Sequence, residues 1–193
     1  MRVQEVAPGL WRWTGLHPAW KPEDGGPEGW EQEVGCVYYE ASDAVVLVDP
    51  LAPPEDEERF WEALDRDVER AGKTVRILLT VSWHGRSAEA VAARYGASSD
   101  GALPSGVERH AVPAGEETAY WLPEHGALVF GDVVLGSEEG LRLCPESWLD
   151  GTLAELRDEL RPLLELPVER VLVSHGEPVL EDGHAALQRA LDV

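Results

Sequence analysis

Val75-Arg76-Ile77-Leu78-Leu79-Thr80-Val81-Ser82-Trp83-His84-Gly85-Arg86-Ser87-Ala88 is the stretch that decides the fold. Its first five residues form an apolar strand that runs into Thr80, and a short polar loop follows. A helix is predicted from about Arg86 to Tyr95, with Ala88, Val91 and Ala92 on one face. Gly96 and the run Ser98-Ser99-Asp100-Gly101 mark its exit. A loop held between a strand and a helix is a place where chemically active side chains gather on a rigid scaffold.

Working outward, the same alternation recurs. Val3–Val6 and Leu10–Trp13 read as strands around the turn pair Pro8-Gly9, and Val34–Tyr39 pairs with Ala44–Asp49 in a hairpin-like connection. Phe60, Leu64, Val68 and Ala71 recur at helical spacing before Gly72. Thr118–Leu122 and Ala127–Phe130 read as strands joined by a turn, and Asp150-Gly151-Thr152 opens a helix reaching about Glu165. Arg170–Val173 is a last buried strand and Asp182–Leu191 a closing helix. From His17 to Glu33 the chain has no sustained period, so a long loop is expected, carrying Trp20 and Trp30. Nothing resembling a linker divides the chain, and one domain over residues 1–193 is expected.

Composition narrows the function. Against 16 basic residues stand 37 acidic ones, a net charge of −21, which argues against nucleic-acid and anionic-membrane partners. Cys36 and Cys144 are too few and too far apart for a disulfide framework or a cysteine zinc site. No basic-then-apolar start and no apolar run of about 20 residues is present, so the chain reads as a cytoplasmic acidic protein. Its partner is expected to be a small molecule; the sequence does not fix an oligomeric state.

Five short elements, taken in order, resemble the metallo-β-lactamase superfamily. They are Val46-Leu47-Val48-Asp49, the loop after Thr80, Pro113-Ala114-Gly115-Glu116, Gly131-Asp132, and Ser174-His175-Gly176. Each tripeptide alone is weak; five in the right order, each at a strand end, identify the fold. The resemblance implies an α/β (α+β) αββα sandwich over essentially the whole chain. In that family the loop reads His-x-His-x-Asp-His and holds two metal ions. Here the six positions are Val81, Ser82, Trp83, His84, Gly85 and Arg86, so none of the four ligand positions keeps its ligand. Glu116 stands where another histidine is expected, and only Asp132 and His175 survive. Asp49 is either an organiser of the ligand loop, as in the family, or a strand-end cap.

The main expectation is therefore a degenerate metal site with no metal. The protein would be a non-catalytic, small-molecule-binding pseudo-hydrolase, with Trp83, His84, Arg86, Glu116, Asp132 and His175 lining the remodelled cleft. Arg86 is expected either to pair with Asp132, Glu116 or both, replacing the lost cationic charge, or simply to begin a surface helix. Trp83 is expected to fill the vacated site, and Trp20 and Trp30 to overhang it as an aromatic lid. His84, on a non-ligand position, should point away from the ligand direction. The alternative is a hydrolase of ester, thioester or lactone bonds, using one zinc, iron or manganese ion on His84, Asp132 and His175, with Glu116 as a further candidate ligand. A third option is metal-free acid/base chemistry by His175 oriented by Asp132. No Gly-x-Ser-x-Gly elbow is present, which counts against a serine hydrolase.

Overall fold

The computed structural model describes residues 1–26, 28–97 and 101–192. A first sheet has five strands in chain order: β1 (Arg2–Ala7), β2 (Leu10–Leu16), β3 (Glu33–Glu40), β4 (Ala44–Val48) and β5 (Thr74–Leu78). Its neighbours are antiparallel except β4 and β5, which are parallel because helix α1 (Glu57–Ala71) crosses between them. Gly72, at φ +62°, ends α1 in the left-handed conformation that glycine adopts without penalty. Helix α2 (Ala88–Tyr95) follows β5.

The second sheet has four strands. β6 (Glu108–Val112), β7 (Glu117–Leu122) and β8 (Ala127–Phe130) are antiparallel, and β11 (Arg170–Val173) lies parallel to β8. A hairpin of β9 (Val134–Ser137) and β10 (Gly140–Leu143) stands apart, and helices α3 (Leu153–Leu160) and α4 (Gly183–Asp192) complete this half. Thr152 caps α3 reciprocally with Glu155.

Burial explains the layering. Every residue of β4 is buried, and its side chains alternate between two environments. Val45 and Leu47 pack with Phe60, Leu64 and Val91 of α1 and α2, whereas Ala44, Val46 and Val48 join the layer between the sheets. β8 mirrors it: Leu128 and Phe130 pack with Leu156, Leu160 and Leu187, and Ala127 and Val129 face the other sheet. A strand buried on both faces shows as the unbroken apolar runs noted in the sequence. The order of layers is helix, sheet, sheet, helix, as expected.

Differences from the sequence reading are local. The second helix starts at Ala88, not Arg86, because Ser82–Gly85 forms a separate 3-10 turn. The helix expected to reach Glu165 ends at Leu160, and Pro162 continues it only as a 3-10 turn. β6, β9 and β10 were not expected; each has four or five residues and little apolar alternation. Residues 98–100, read as part of the exit from α2, lie outside the described residues.

Candidate metal centre

The carboxyl end of β4 delivers Asp49, which is buried and has a positive φ of +49°. Its Oδ1 accepts the Thr80 N–H (2.9 Å), and its Oδ2 accepts the Thr80 hydroxyl (2.5 Å) and the Ser174 hydroxyl (3.4 Å). One further donor reaches Oδ2: His84 Nδ1, at 2.9 Å. Asp49 thus ties the end of β5 to the following loop. That loop closes as a 3-10 turn, with the His84 N–H donating to Val81 O (3.1 Å).

The turn changes which side chain faces inward. In an extended loop alternate residues share a side, whereas a helical turn shifts that phase. His84 is consequently buried, and its Nε2 lies 3.2 Å from Asp132 Oδ1. This corrects the expectation that His84 points away from the site. Trp83, expected to fill the site, is 54% exposed at its rim instead. Its indole N–H donates to the other oxygen of Asp132, Oδ2, at 2.9 Å.

The second sheet supplies the remaining donors. Asp132 follows β8 and His175 follows β11, with His175 Nε2 at 3.1 Å from Asp132 Oδ1. Gly131 lets this strand end approach β5: a Cβ there would stand 2.3 Å from Thr80 Oγ1. The Thr118 N–H donates to Thr80 O (2.7 Å), and the Gly35 N–H donates to Ser174 O (2.7 Å), so backbone bonds join both sheets around the centre.

Electrostatics separate the two imidazoles. Burial alone would lower the pKa of His84, but the hydrogen bonds to Asp132 and Asp49, with Asp49's charge, raise it to about 9. His175 is lowered, because burial outweighs its bond to Asp132. Burial opposes ionisation of Asp132, yet the two imidazoles hold its carboxyl well below the usual range. These shifts favour the charged form of His84 and the neutral form of His175. His175 Nδ1 is buried without a hydrogen-bond partner among the described residues.

The same three residues suit a cation. His84, Asp132 and His175 each offer one ligand atom, all within 4.8 Å of one another. Moreover, the Nδ1–H of His84 is already engaged by Asp49, which is how a carboxylate orients a ligating histidine and fixes its tautomer.

Two further expectations are corrected. Arg86 pairs with neither Asp132 nor Glu116. Its Nη1 donates to Gly35 O (3.1 Å) and Asp49 O (3.2 Å) and lies 3.7 Å from Cys36 Sγ. Asp132 is already saturated by two imidazoles and an indole, and Glu116 is exposed with φ +50°. The inward carboxylate is the next residue, Glu117. It is buried and accepts the N–H groups of Gly131 (2.8 Å), Asp132 (2.6 Å) and Val133 (2.9 Å). Burial, reinforced by the charge of Asp132 and opposed by those three bonds, pushes its pKa up to about 7. The only signal for it in the sequence is the tandem acid at the start of a strand.

An open cavity of about 320 Å3 surrounds the three donors, lined also by His17, Trp30, Trp83, Arg86 and Trp148. His17, at the start of the long loop, is thus a wall residue. Trp30 stacks edge-on against His175 at 5.3 Å and against His17 at 5.2 Å. Trp20 lines the adjoining cavity of about 380 Å3, and its indole N–H donates to Trp30 O (2.9 Å). The long loop is fastened across the cleft by Trp148, whose indole N–H donates to Glu28 O (2.8 Å). No helix among the described residues is long and apolar enough to cross a membrane.

No protein-family model and no curated protein matches the chain. Solved structures do. VMB-1 superimposes with a TM-score of 0.69 at 13% identity, covering 99% of this chain and 94% of its own. FIM-1, a metallo-β-lactamase from Pseudomonas aeruginosa in its mono-zinc form, gives 0.65 at 14% identity, with 99% and 94% covered. A metallo-β-lactamase from Erythrobacter litoralis gives 0.64 at 16%, with 98% and 90% covered. Likeness at such low identity over nearly the full length, together with the layer order and the site at the strand ends, leads to one conclusion: this chain has the metallo-β-lactamase fold.

Proposed function

We propose that the cleft holds one divalent metal ion on His84 Nε2, Asp132 Oδ1 and His175 Nε2, and that the protein hydrolyses small ester, thioester or lactone substrates. The observation that carries this reading is the convergence of the donors: Asp132 Oδ1 lies 3.2 Å from His84 Nε2 and 3.1 Å from His175 Nε2, close to the separation of neighbouring ligands on metal–ligand bonds of about 2.0–2.2 Å. Two imidazoles and a carboxylate suit zinc, iron or manganese. The ion would supply Lewis acidity toward a substrate carbonyl and toward water. Asp49 keeps the Nδ1 proton of His84 and so reserves Nε2 for ligation. Trp83 occupies Asp132 Oδ2, leaving Oδ1 for the ion. With Arg86 adding a fixed positive charge to the same cleft, these contacts favour one cation over the pair bound in the superfamily.

A second reading rests on the place of His84 between two carboxylates, Asp49 at 2.9 Å and Asp132 at 3.2 Å. An imidazolium there offsets one of the two carboxylates, and the Arg86 guanidinium in the same cleft adds a second positive charge, so an ion is not needed to balance the site. In that case the protein is a metal-free, non-catalytic binder of small molecules. Elemental analysis of the purified protein, repeated after chelation and after supply of zinc, iron(II) or manganese(II), separates the two. The hydrolase reading expects one ion per chain, lost in His175→Ala and in His84→Ala. A wild-type chain that takes up none of the three metals overturns it in favour of the binder.

A further inference from the structure

We propose that Arg86 is the anion-recognition residue of the cleft, receiving a carboxylate of a small ligand whose apolar body lies against Trp30, Trp83 and Trp148. The proposal rests on the reading that this cleft is the substrate site, with or without an ion.

The first support is a guanidinium without a contact ion pair. In a chain with 37 acidic residues, the Arg86 guanidinium has no carboxylate within ion-pair distance among the described residues. The two nearby acids are committed elsewhere: Asp49 to Thr80, His84 and Ser174, and Asp132 to His84, His175 and Trp83. A partly buried cation without a counter-charge is costly, and an anionic ligand removes that cost.

The second support is preorganisation. Nη1 is held by carbonyls at the ends of two strands, so the planar fork is fixed before any ligand arrives. Among the described residues, Nε is buried without a partner and Nη2 makes no hydrogen bond. The backbone at Arg86 has φ +32° and ψ −108°, a conformation that costs an L-residue energy and persists where surrounding structure imposes it.

The third support is the wall. Three indoles face a cavity of about 320 Å3, the small end of the range for ligand pockets. The net charge of −21 opposes an anion at long range, but salt screens it beyond about 8 Å. A contact ion pair inside the cleft is screened far less, so the local attraction wins.

Binding of 3-phenylpropanoate and its neutral amide, 3-phenylpropanamide, to chelator-treated protein tests this by calorimetry or tryptophan fluorescence. The acid should bind about tenfold more tightly than the amide, the worth of one charge-assisted hydrogen bond. In Arg86→Gln that preference should fall to about onefold while amide affinity is kept. Equal binding of acid and amide by the wild type overturns the proposal without recourse to any variant. So does a preference that survives in Arg86→Gln, or one that arises only after zinc is added, since the anion would then sit on the ion. Preference for the acid in a chain that takes up no metal keeps the anion site and discards the hydrolase. Metal uptake without that preference does the reverse.

Discussion

Asp49 in the first sheet and Glu117 in the second are both buried carboxylates that organise the loop carrying a donor of the centre, yet they grip different things. Glu117 accepts three backbone N–H groups, from Gly131, Asp132 and Val133, and so fixes the main chain that presents Asp132. Asp49 accepts one backbone N–H and three side-chain donors, including the imidazole of His84. The second half therefore anchors the main chain beneath its donor, Asp132. The first grips the side chain of its donor, His84, whose other nitrogen faces Asp132.

Removing the acceptors should separate these roles. The largest effect on stability is expected at Glu117→Ala, which leaves three buried N–H groups without acceptors and should cost about 4 kcal/mol in urea unfolding. Glu117→Gln retains one acceptor oxygen and should cost about half as much. A loss below about 1 kcal/mol for the alanine variant would break the assignment of Glu117 as the backbone anchor. Asp49→Asn should cost less stability, about 2 kcal/mol, but reduce metal affinity roughly 10- to 100-fold, the usual penalty for losing the carboxylate behind a ligating histidine. Equal metal affinity in Asp49→Asn and wild type, measured by competition with a chromogenic chelator, would erase the contrast between the halves. Trp83→Phe should change least. With its ring half exposed, stability should stay within about 0.5 kcal/mol. Freeing Asp132 Oδ2 should shift metal affinity by less than about fivefold, and a second equivalent of bound metal would show that Trp83 sets the stoichiometry.

Two corrections share one cause. After Thr80 and after Val112 the chain makes a 3-10 turn, Ser82–Gly85 in one case and Pro113–Gly115 in the other. Each turn is followed by a non-glycine residue at positive φ, Arg86 at +32° and Glu116 at +50°. Both devices shift the phase of the side chains that follow or precede them by one. As a result His84 faces inward rather than Trp83, and Glu117 rather than Glu116. Glycine or asparagine would have announced such a backbone; arginine and glutamate do not.

Periodicity placed the main strands and helices, and the five strand-end elements that resemble the metallo-β-lactamase superfamily implied the sandwich. β4 and β8 are apolar without interruption because both faces are covered, and α1 shows its stripe through Phe60 and Leu64. Asp49, Asp132 and His175 were legible as well, since each directly follows or nearly follows a strong strand whose end is easy to place. The partners of Arg86, the inward turn of His84 and the burial of Glu117 were decided only in three dimensions. Those features depend on turn phase and on which acceptors neighbouring strands have left free, quantities set by contacts between residues far apart in the chain.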